Sequence, residues 1–167
     1  MPVEIAVTRA SSLDVASMAA IHRSCFAKAW DETAMTQFLE SLEALCLIGS
    51  VADSSGGMLG GLLIVRKAAD EAEILTLCVA PAYRNAGLGR ALLAAAMAEL
   101  RAAGTKRLFL EVEDGNDAAL GLYRSLGAVP VGRRENYYDN GADAAIFSLA
   151  LSTGPEDDGT ALARRPA

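Results

Sequence analysis

The chain has 167 residues, 52% of them hydrophobic, and its 15 Lys and Arg against 21 Asp and Glu give a formal net charge of -6. That suffices for one ordinary domain with its own core, no run approaches the roughly 18 apolar residues of a membrane span, and the start Met1-Pro2-Val3-Glu4 has neither a signal nor a transit pattern, so a soluble cytoplasmic protein is expected. An acidic chain suits a cationic acceptor such as an amine or basic peptide better than a nucleic acid, and Cys25, Cys46 and Cys78, apolar-flanked and without metal-ligand spacing, predict packed thiols and no metal site.

In chain order, residues 3–9 alternate weakly and predict a first strand. Ser11 or Ser12 then caps a helix that carries Leu13, Ala16, Ala20 and Ser24 at helical spacing and ends near Phe26. Asp31 caps a second helix, with Met35, Phe38, Leu39 and Leu42 as one apolar stripe. Residues 45–52 and 58–66 read as strands of a hairpin closed by Asp53-Ser54-Ser55-Gly56-Gly57. Residues 73–79 predict a strand buried on both faces. Beyond Pro81 and a glycine-rich turn, Leu88, Leu92, Leu93, Ala96 and Leu100 mark the longest helix, closed by Gly104. Residues 107–112 form a strand with Leu108, Leu110 and Val112 on one face and Phe109 with Glu111 on the other. A short helix follows over 116–126, with Ala119, Leu122, Tyr123 and Leu126 on one side and Gly127 ending it. Strands over 129–137 and 144–151 complete a domain of residues 1–152, and residues 153–167 lose periodicity and predict a flexible tail. The order is α/β, with a parallel pair demanded only by the central strand-helix-strand and antiparallel hairpins elsewhere.

The turn Arg84-Asn85-Ala86-Gly87-Leu88-Gly89-Arg90 joins a strand directly to a helix. Backbone N–H groups left free at a helix start, together with its positive dipole end, favour an anion there. Glycine lets a phosphate approach the backbone, and Arg84 and Arg90 add charge. Taken alone, the same glycines also serve simply to shape a tight connection. A P-loop is excluded because Arg90-Ala91 replaces Lys-Ser/Thr, and a dinucleotide fingerprint because Leu92 fills the third glycine slot.

The turn resembles the Gln/Arg-x-x-Gly-x-Gly/Ala signature of the GNAT superfamily of N-acetyltransferases. The likeness extends from Val79-Ala80-Pro81 through Leu93, to Leu110-Glu111-Val112, Asn116 and Leu122-Tyr123-Arg124-Ser125-Leu126-Gly127, with Ala29-Trp30-Asp31 and Arg133-Arg134-Glu135-Asn136-Tyr137-Tyr138 at either end. These segments are similar to the branch that acetylates the N-terminal alanine of a ribosomal protein. The resemblance implies a mostly antiparallel sheet of about seven strands with a splayed central parallel pair and about four helices. It implies acetyl-CoA as cosubstrate, with the backbone of Leu77, Cys78 and Val79 taking the pantetheine arm, the Arg84–Arg90 turn the pyrophosphate, and Asn116 a further cofactor contact.

By the same resemblance Glu111 is the proton acceptor and Tyr123 the acid that meets the departing thiolate. From the residues alone, Glu111 reads either as a half-buried general base or as an exposed residue at a fraying strand end. Tyr123 reads equally as core packing and Asn116 as a helix cap. The resemblance also implies a rival base, Glu73, because other branches of the family place a glutamate on the preceding strand, where it can act through water. Trp30 and Asn136-Tyr137-Tyr138 are candidates for an acceptor wall or equally for core or strand packing; His22 reads as structural or exposed, not catalytic, and Cys78 as buried, which favours direct transfer over an acyl-enzyme. Ala128-Val129 follows Leu126-Gly127 where the family has an aromatic, and the loop after Tyr138 is compact. Two other readings share the sequence: acetylation of a small amine, and a non-catalytic acyl-CoA-binding module, which loss of Glu111 and Tyr123 would have favoured.

Overall fold

The computed structural model of the chain describes residues 3–53, 56–138 and 140–151. It comprises β1 (Glu4–Arg9), a 3-10 turn (Ser12–Asp14), α1 (Val15–Cys25), α2 (Glu32–Glu40), β2 (Ala44–Asp53), β3 (Gly56–Ala68) and β4 (Glu71–Val79). A second 3-10 turn (Pro81–Tyr83) leads to α3 (Leu88–Ala102), β5 (Arg107–Glu113), α4 (Asp117–Ser125), β6 (Val129–Arg134) and β7 (Ala144–Ala150). The strands form one seven-stranded mixed sheet in the order β1-β2-β3-β4-β5-β7-β6. The expected α/β class stands, as does its parallel pair: β4 and β5 run parallel from Glu71↔Arg107 to Glu73↔Phe109, whereas β1–β2, β2–β3, β5–β7 and β6–β7 are antiparallel. A parallel pair cannot be closed by a tight turn, and α3 supplies the crossover. The tail expected over 153–167 lies outside the described residues.

Contacts divide the chain into two compact units, one built on the chain up to Ala68 with Ile74–Glu99, the other on Ala69–Glu73 with the chain from Leu100 onward. In the first unit, Met18, Ala19, Ile21, Met35, Cys46, Ile48, Leu62, Ile64 and Cys78 form a buried cluster. Ser11 and Asp14 close a reciprocal capping box ahead of α1, and the Asp31 side chain accepts from the Ala34 N–H at the start of α2. The stripe expected on α1 is out of phase: Leu13 is 92% exposed and Ala16, Ala20 and Ser24 are exposed, while Met18, Ala19, Ile21 and His22 face inward. Alanine and serine fit either side of a helix, so the larger Met18 and Ile21 decide which face is buried. Leu42 is 97% exposed because α2 stops at Glu40 and Ser41 turns extended, which ends the helical period. Nor is β4 buried on both faces; Ala72, Thr76 and Cys78 are buried and the residues between them half-buried. An apolar run reports a preference for cover, and here only one face receives it fully.

Three glycines set the seat of α3. Gly49 on β2 pairs with Gly61 on β3, and the register skips Gly60 to pair Ser50 with Leu59. The bulge turns Gly60 and Gly61 toward the same side. A β-carbon at Gly49 would stand 2.5 Å from Leu88 Cδ1, one at Gly60 2.9 Å from the Tyr83 ring, and one at Gly61 3.0 Å from both the Cys78 carbonyl and Leu92 Cδ1. The first turn of α3 thus lies directly on the strand backbones, which fixes where the Arg84–Arg90 turn ends.

In the second unit, the Asn116 side chain accepts from the Ala119 N–H at 3.2 Å and starts α4. Gly127, with φ 91°, ends that helix, donating its N–H to the Arg124 carbonyl. The strand expected to run to Tyr137 stops at Arg134. Asn136 takes φ 50° and gives its N–H to Asp143 Oδ1 at 2.9 Å, so the ladder is exchanged for a side-chain-bound turn.

Candidate active site

The first unit carries the anion turn. The Ala80 N–H is held by the Gly60 carbonyl at 2.7 Å, and Pro81–Tyr83 makes one tight turn back toward the helix. Asn85 and Gly87 have φ of 64° and 87°, and the Gly87 carbonyl accepts the first helical bond, from Ala91. Arg84, Asn85, Ala86, Gly87 and Arg90 are exposed, Gly89 is half-buried and Leu88 is buried. The nearest side-chain atom to a β-carbon built on Gly87 is Ile5 Cδ1 at 3.8 Å. The hollow in front of this turn is therefore open and would be filled by any side chain at Gly87. Exposed backbone at a helix start, two left-handed residues and adjacent arginines fit a pyrophosphate.

Arg84, though exposed, reaches back along the end of β4. Its Nε donates to the Val79 carbonyl at 3.1 Å and its Nη2 to Cys25 Sγ at 3.8 Å, while the Cys25 thiol donates to the same carbonyl at 3.4 Å. It braces the turn against the end of β4. Leu77 and Val79 are half-buried and Cys78 is buried. Burial, reinforced by Cys25, pushes the Cys78 thiol far up, and burial alone pushes Cys46 up to about 11. A thiol held in its neutral form is a poor nucleophile, in keeping with direct transfer. All three cysteines are free, and among the described residues no group of His, Cys, Asp and Glu could hold a metal ion.

His22 is structural here, and fully used. It is 4% exposed; its Nδ1 accepts the Trp30 N–H at 3.0 Å, and its Nε2 lies 3.3 Å from Thr76 Oγ1. With Nδ1 accepting, the ring proton sits on Nε2 and donates to Thr76. Phe26 and Trp30 stack against it with centroids at 4.6 and 4.7 Å. Burial holds its pKa down, so the ring stays neutral.

The second unit carries the side chains expected to handle protons. Glu111 lies at 21% side-chain exposure on β5, and its Oε1 is 3.3 Å from Arg134 Nη1. Burial, then the same carboxylate, pushes the Tyr137 phenol up, and the Arg134 guanidinium lies 5.4 Å over the Tyr137 ring. Burial, then the charges of Glu111, Tyr137 and Glu113, pushes Tyr138 up to about 12. Tyr123 is buried on α4; burial, followed by Tyr138, pushes it up to about 12. Glu111 and Tyr123 therefore share Tyr138 as an electrostatic neighbour. Glu73 lies half-buried opposite Phe109, and its charge is felt at Tyr137. Asn116 is exposed, with its oxygen used as the helix cap. Beside the carboxylate, Arg133 pairs with Asp114 and, at 3.3 Å, Asp143, while Asn140 donates to Glu113 at 2.6 Å.

Sequence reasoning passed over two features. Glycines inside strand patterns are a sign of close backbone approach, yet Gly49, Gly60 and Gly61 drew no notice. Arg134 entered only as a motif letter, because nothing in a linear pattern shows that it reaches Glu111.

A mixed sheet with a central parallel pair, and a glycine turn after β4 that opens into the crossover helix, define an acyl-coenzyme A-dependent transferase. Residues 15–128 match the acetyltransferase (GNAT) family. The chain is 39% identical to the [ribosomal protein bS18]-alanine N-acetyltransferase of Escherichia coli K12 over 102 residues, 59% of this chain and 69% of that one. It is 32% identical to the putative [ribosomal protein bS18]-alanine N-acetyltransferase of Bacillus subtilis over 155 residues, 91% of this chain and 99% of that one. The crystal structure of the E. coli ribosomal-protein-S18-alanine N-acetyltransferase is similar with a TM-score of 0.79 and 29% identity, covering 92% and 98% of the two chains. The chain belongs to the GNAT acetyltransferase family and is an acetyl-CoA-dependent N-acetyltransferase.

Proposed function

We propose that the acceptor is the N-terminal α-amine of a protein that begins with alanine, in the first instance a ribosomal protein, which places the reaction in the cytoplasm. The observation that carries this reading is the extent of the likeness: a relative bearing that specificity in its name aligns with 91% of this chain. The chain's net charge of -6 suits a basic protein terminus. Among the described residues no helix is long and apolar enough to cross a membrane.

In this mechanism, the Arg84–Arg90 turn, with Leu88 and Gly89 in its first helical positions, holds the pyrophosphate, the backbone of Leu77, Cys78 and Val79 takes the pantetheine arm, and Asn116 contacts the cofactor. The cosubstrate supplies a thioester carbonyl as acetyl donor. Glu111 accepts the proton that the attacking amine must lose, as the new C–N bond forms and the C–S bond breaks. Tyr123 stays protonated at any working pH because its folded value is about 12. Full transfer of its proton to a thiolate of ordinary basicity, near 8.5, would be uphill by roughly 5 kcal/mol. Tyr123 therefore stabilises the leaving sulphur as a hydrogen-bond donor, and solvent completes the protonation.

The test is intact-mass analysis of an alanine-led peptide incubated with the protein and acetyl-CoA. One added acetyl group on the α-amine is expected, and it should disappear with Glu111→Gln. If a panel of small amines is acetylated and the peptide is not, the acceptor assignment fails while the transferase assignment stands. If the Glu111 variant keeps full activity and a Glu73→Gln variant loses it, Glu73 is the base.

A further inference from the structure

The carboxylate assigned to take the acceptor's proton already holds a cation. Glu111 on β5 stands opposite Ile146 of β7, and Gly132 of β6 stands opposite the same residue; two rungs away, Glu113, Ala144 and Arg134 make the next row on that face. Directly opposed residues, and those two apart along a strand, point to one face of a sheet. Arg134 therefore lies diagonally across β7 from Glu111 on a shared face. Ala144 and Gly132, the smallest side chains of the two rows, border the diagonal. The guanidinium spans it to bring Nη1 to 3.3 Å from Glu111 Oε1.

One further contact distinguishes this pair from an incidental surface bridge. The Tyr137 ring lies under the guanidinium at 5.4 Å, and the Glu111 charge is felt at its phenol. Carboxylate, guanidinium and phenol are thus neighbours. Both charged side chains remain partly open to water, at 34% for Arg134 and 21% for Glu111. A half-exposed pair contributes little net stability, so exchanging its cation costs little. Tyr137 is 48% exposed, and its ring offers the guanidinium a second place to rest once the carboxylate lets go.

A free α-amine has a conjugate acid near about 7.7–8.0, so at neutral pH it arrives mostly as an ammonium ion. It brings N–H donors and a positive charge to a carboxylate that already holds both. We propose that Arg134 is a positioning residue that stands in for the acceptor's ammonium: it keeps the Glu111 carboxylate paired and aimed in the empty site, and yields it when a cationic amine arrives. This rests on the reading of Glu111 as the base. Arg134 touches no reacting atom, and acts through Glu111.

The test is a double-variant cycle read on acceptor KM at saturating acetyl-CoA, with an alanine-led peptide. Arg134→Gln removes the competitor, so KM falls about three- to tenfold while kcat also falls as the carboxylate loses its brace. Arg134→Lys retains a cation and keeps KM near the native value. In a Glu111→Gln background, where turnover is lost, the peptide's dissociation constant with coenzyme A bound is read by calorimetry instead, and the Arg134→Gln change leaves it unmoved, because the competition is for that carboxylate. An unchanged or raised KM in Arg134→Gln, or the same fall in the Glu111→Gln background, overturns the proposal. A second measurement needs no turnover: the 15N signal of Arg134 Nε is followed in the intact protein while alaninamide or N-acetylalaninamide is added. A shift with the free amine alone supports the exchange, and an unmoved signal with both refutes it. If Glu111→Gln retains full kcat, the base assignment falls on its own, separately from the nitrogen signal.

Discussion

Replacing Gly49 with alanine tests the strand floor beneath α3. The new β-carbon would lie 2.5 Å from Leu88 Cδ1 and 3.3 Å from both Leu88 Cγ and Leu92 Cδ2. Ordinary carbon contacts fall at about 3.5–4.0 Å, so the closest overlap is about 1 Å. Leu88 is 1% and Leu92 0% exposed, so either side chain can yield only by displacing packed neighbours. Overpacking of this kind costs about 1–3 kcal/mol, and at about 2–4 °C per kcal/mol for a chain of this size the unfolding midpoint should drop by about 2–12 °C. The alternative to strain is that the helix start lifts from the strands, and Leu88 follows directly on Gly87. Acetyl-CoA affinity should then weaken several-fold. Scanning calorimetry and isothermal titration read the two effects separately. Gly57→Ala is the control, since nothing lies within 4 Å of a β-carbon there. Should Gly49→Ala melt within about 1 °C of the native chain and bind acetyl-CoA equally well, the glycine floor does not position the turn.

Gly87→Glu should abolish measurable acetyl-CoA binding at concentrations that saturate the native protein, by placing a carboxylate and a strained β-carbon at φ 87° in the phosphate hollow; undiminished affinity would refute the anion site. Tyr123→Phe should lower kcat by about 10²-fold with acetyl-CoA affinity unchanged, measured by steady-state assay and titration, and full retention of kcat would leave the tyrosine as packing only. Burial holds the His22 pKa below the ordinary 6.5, so the unfolded chain binds the extra proton first as pH falls. The histidine's contribution is present above pH 6.5 and is lost as the pH drops through 6.5 toward the folded value. Midpoints measured between pH 7.5 and 5 should decline less steeply in His22→Gln than in the native chain, and identical slopes would count against a neutral buried ring.

Where local chemistry determined structure, the sequence was readable. Ser11, Asp31 and Asn116 cap because short polar side chains compete for the first free N–H groups of a helix, and each does so here. Gly104 and Gly127 end their helices at φ 85° and 91°, a conformation that few other residues accept. The stripe on α3 was legible because leucines dominate it. The stripe on α1 was not, since alanine and serine leave the phase undetermined. The early end of β6 depends on Asp143, seven residues beyond the N–H it captures, and a run of β-compatible residues says nothing about such a competitor.

The site divides along the same line. The glycine turn is a local object, defined by backbone angles within a few residues, so its position could be read directly. The state of Glu111 is a property of the sheet. Its cation comes from β6 and crosses β7, and that neighbour relation exists only after the chain has returned twice. The same return brings Tyr137 beside the carboxylate and Tyr138 beside Tyr123. A reading that treats Glu111 as a lone half-buried acid predicts a base waiting for a proton. With Arg134 in place the carboxylate is already paired. On the proposed reading of Glu111 as the base, it becomes available only by exchanging one cation for another, so acceptor charge would enter the reaction before any proton moves and would tie a preference for an ammonium-bearing terminus to the proton acceptor itself.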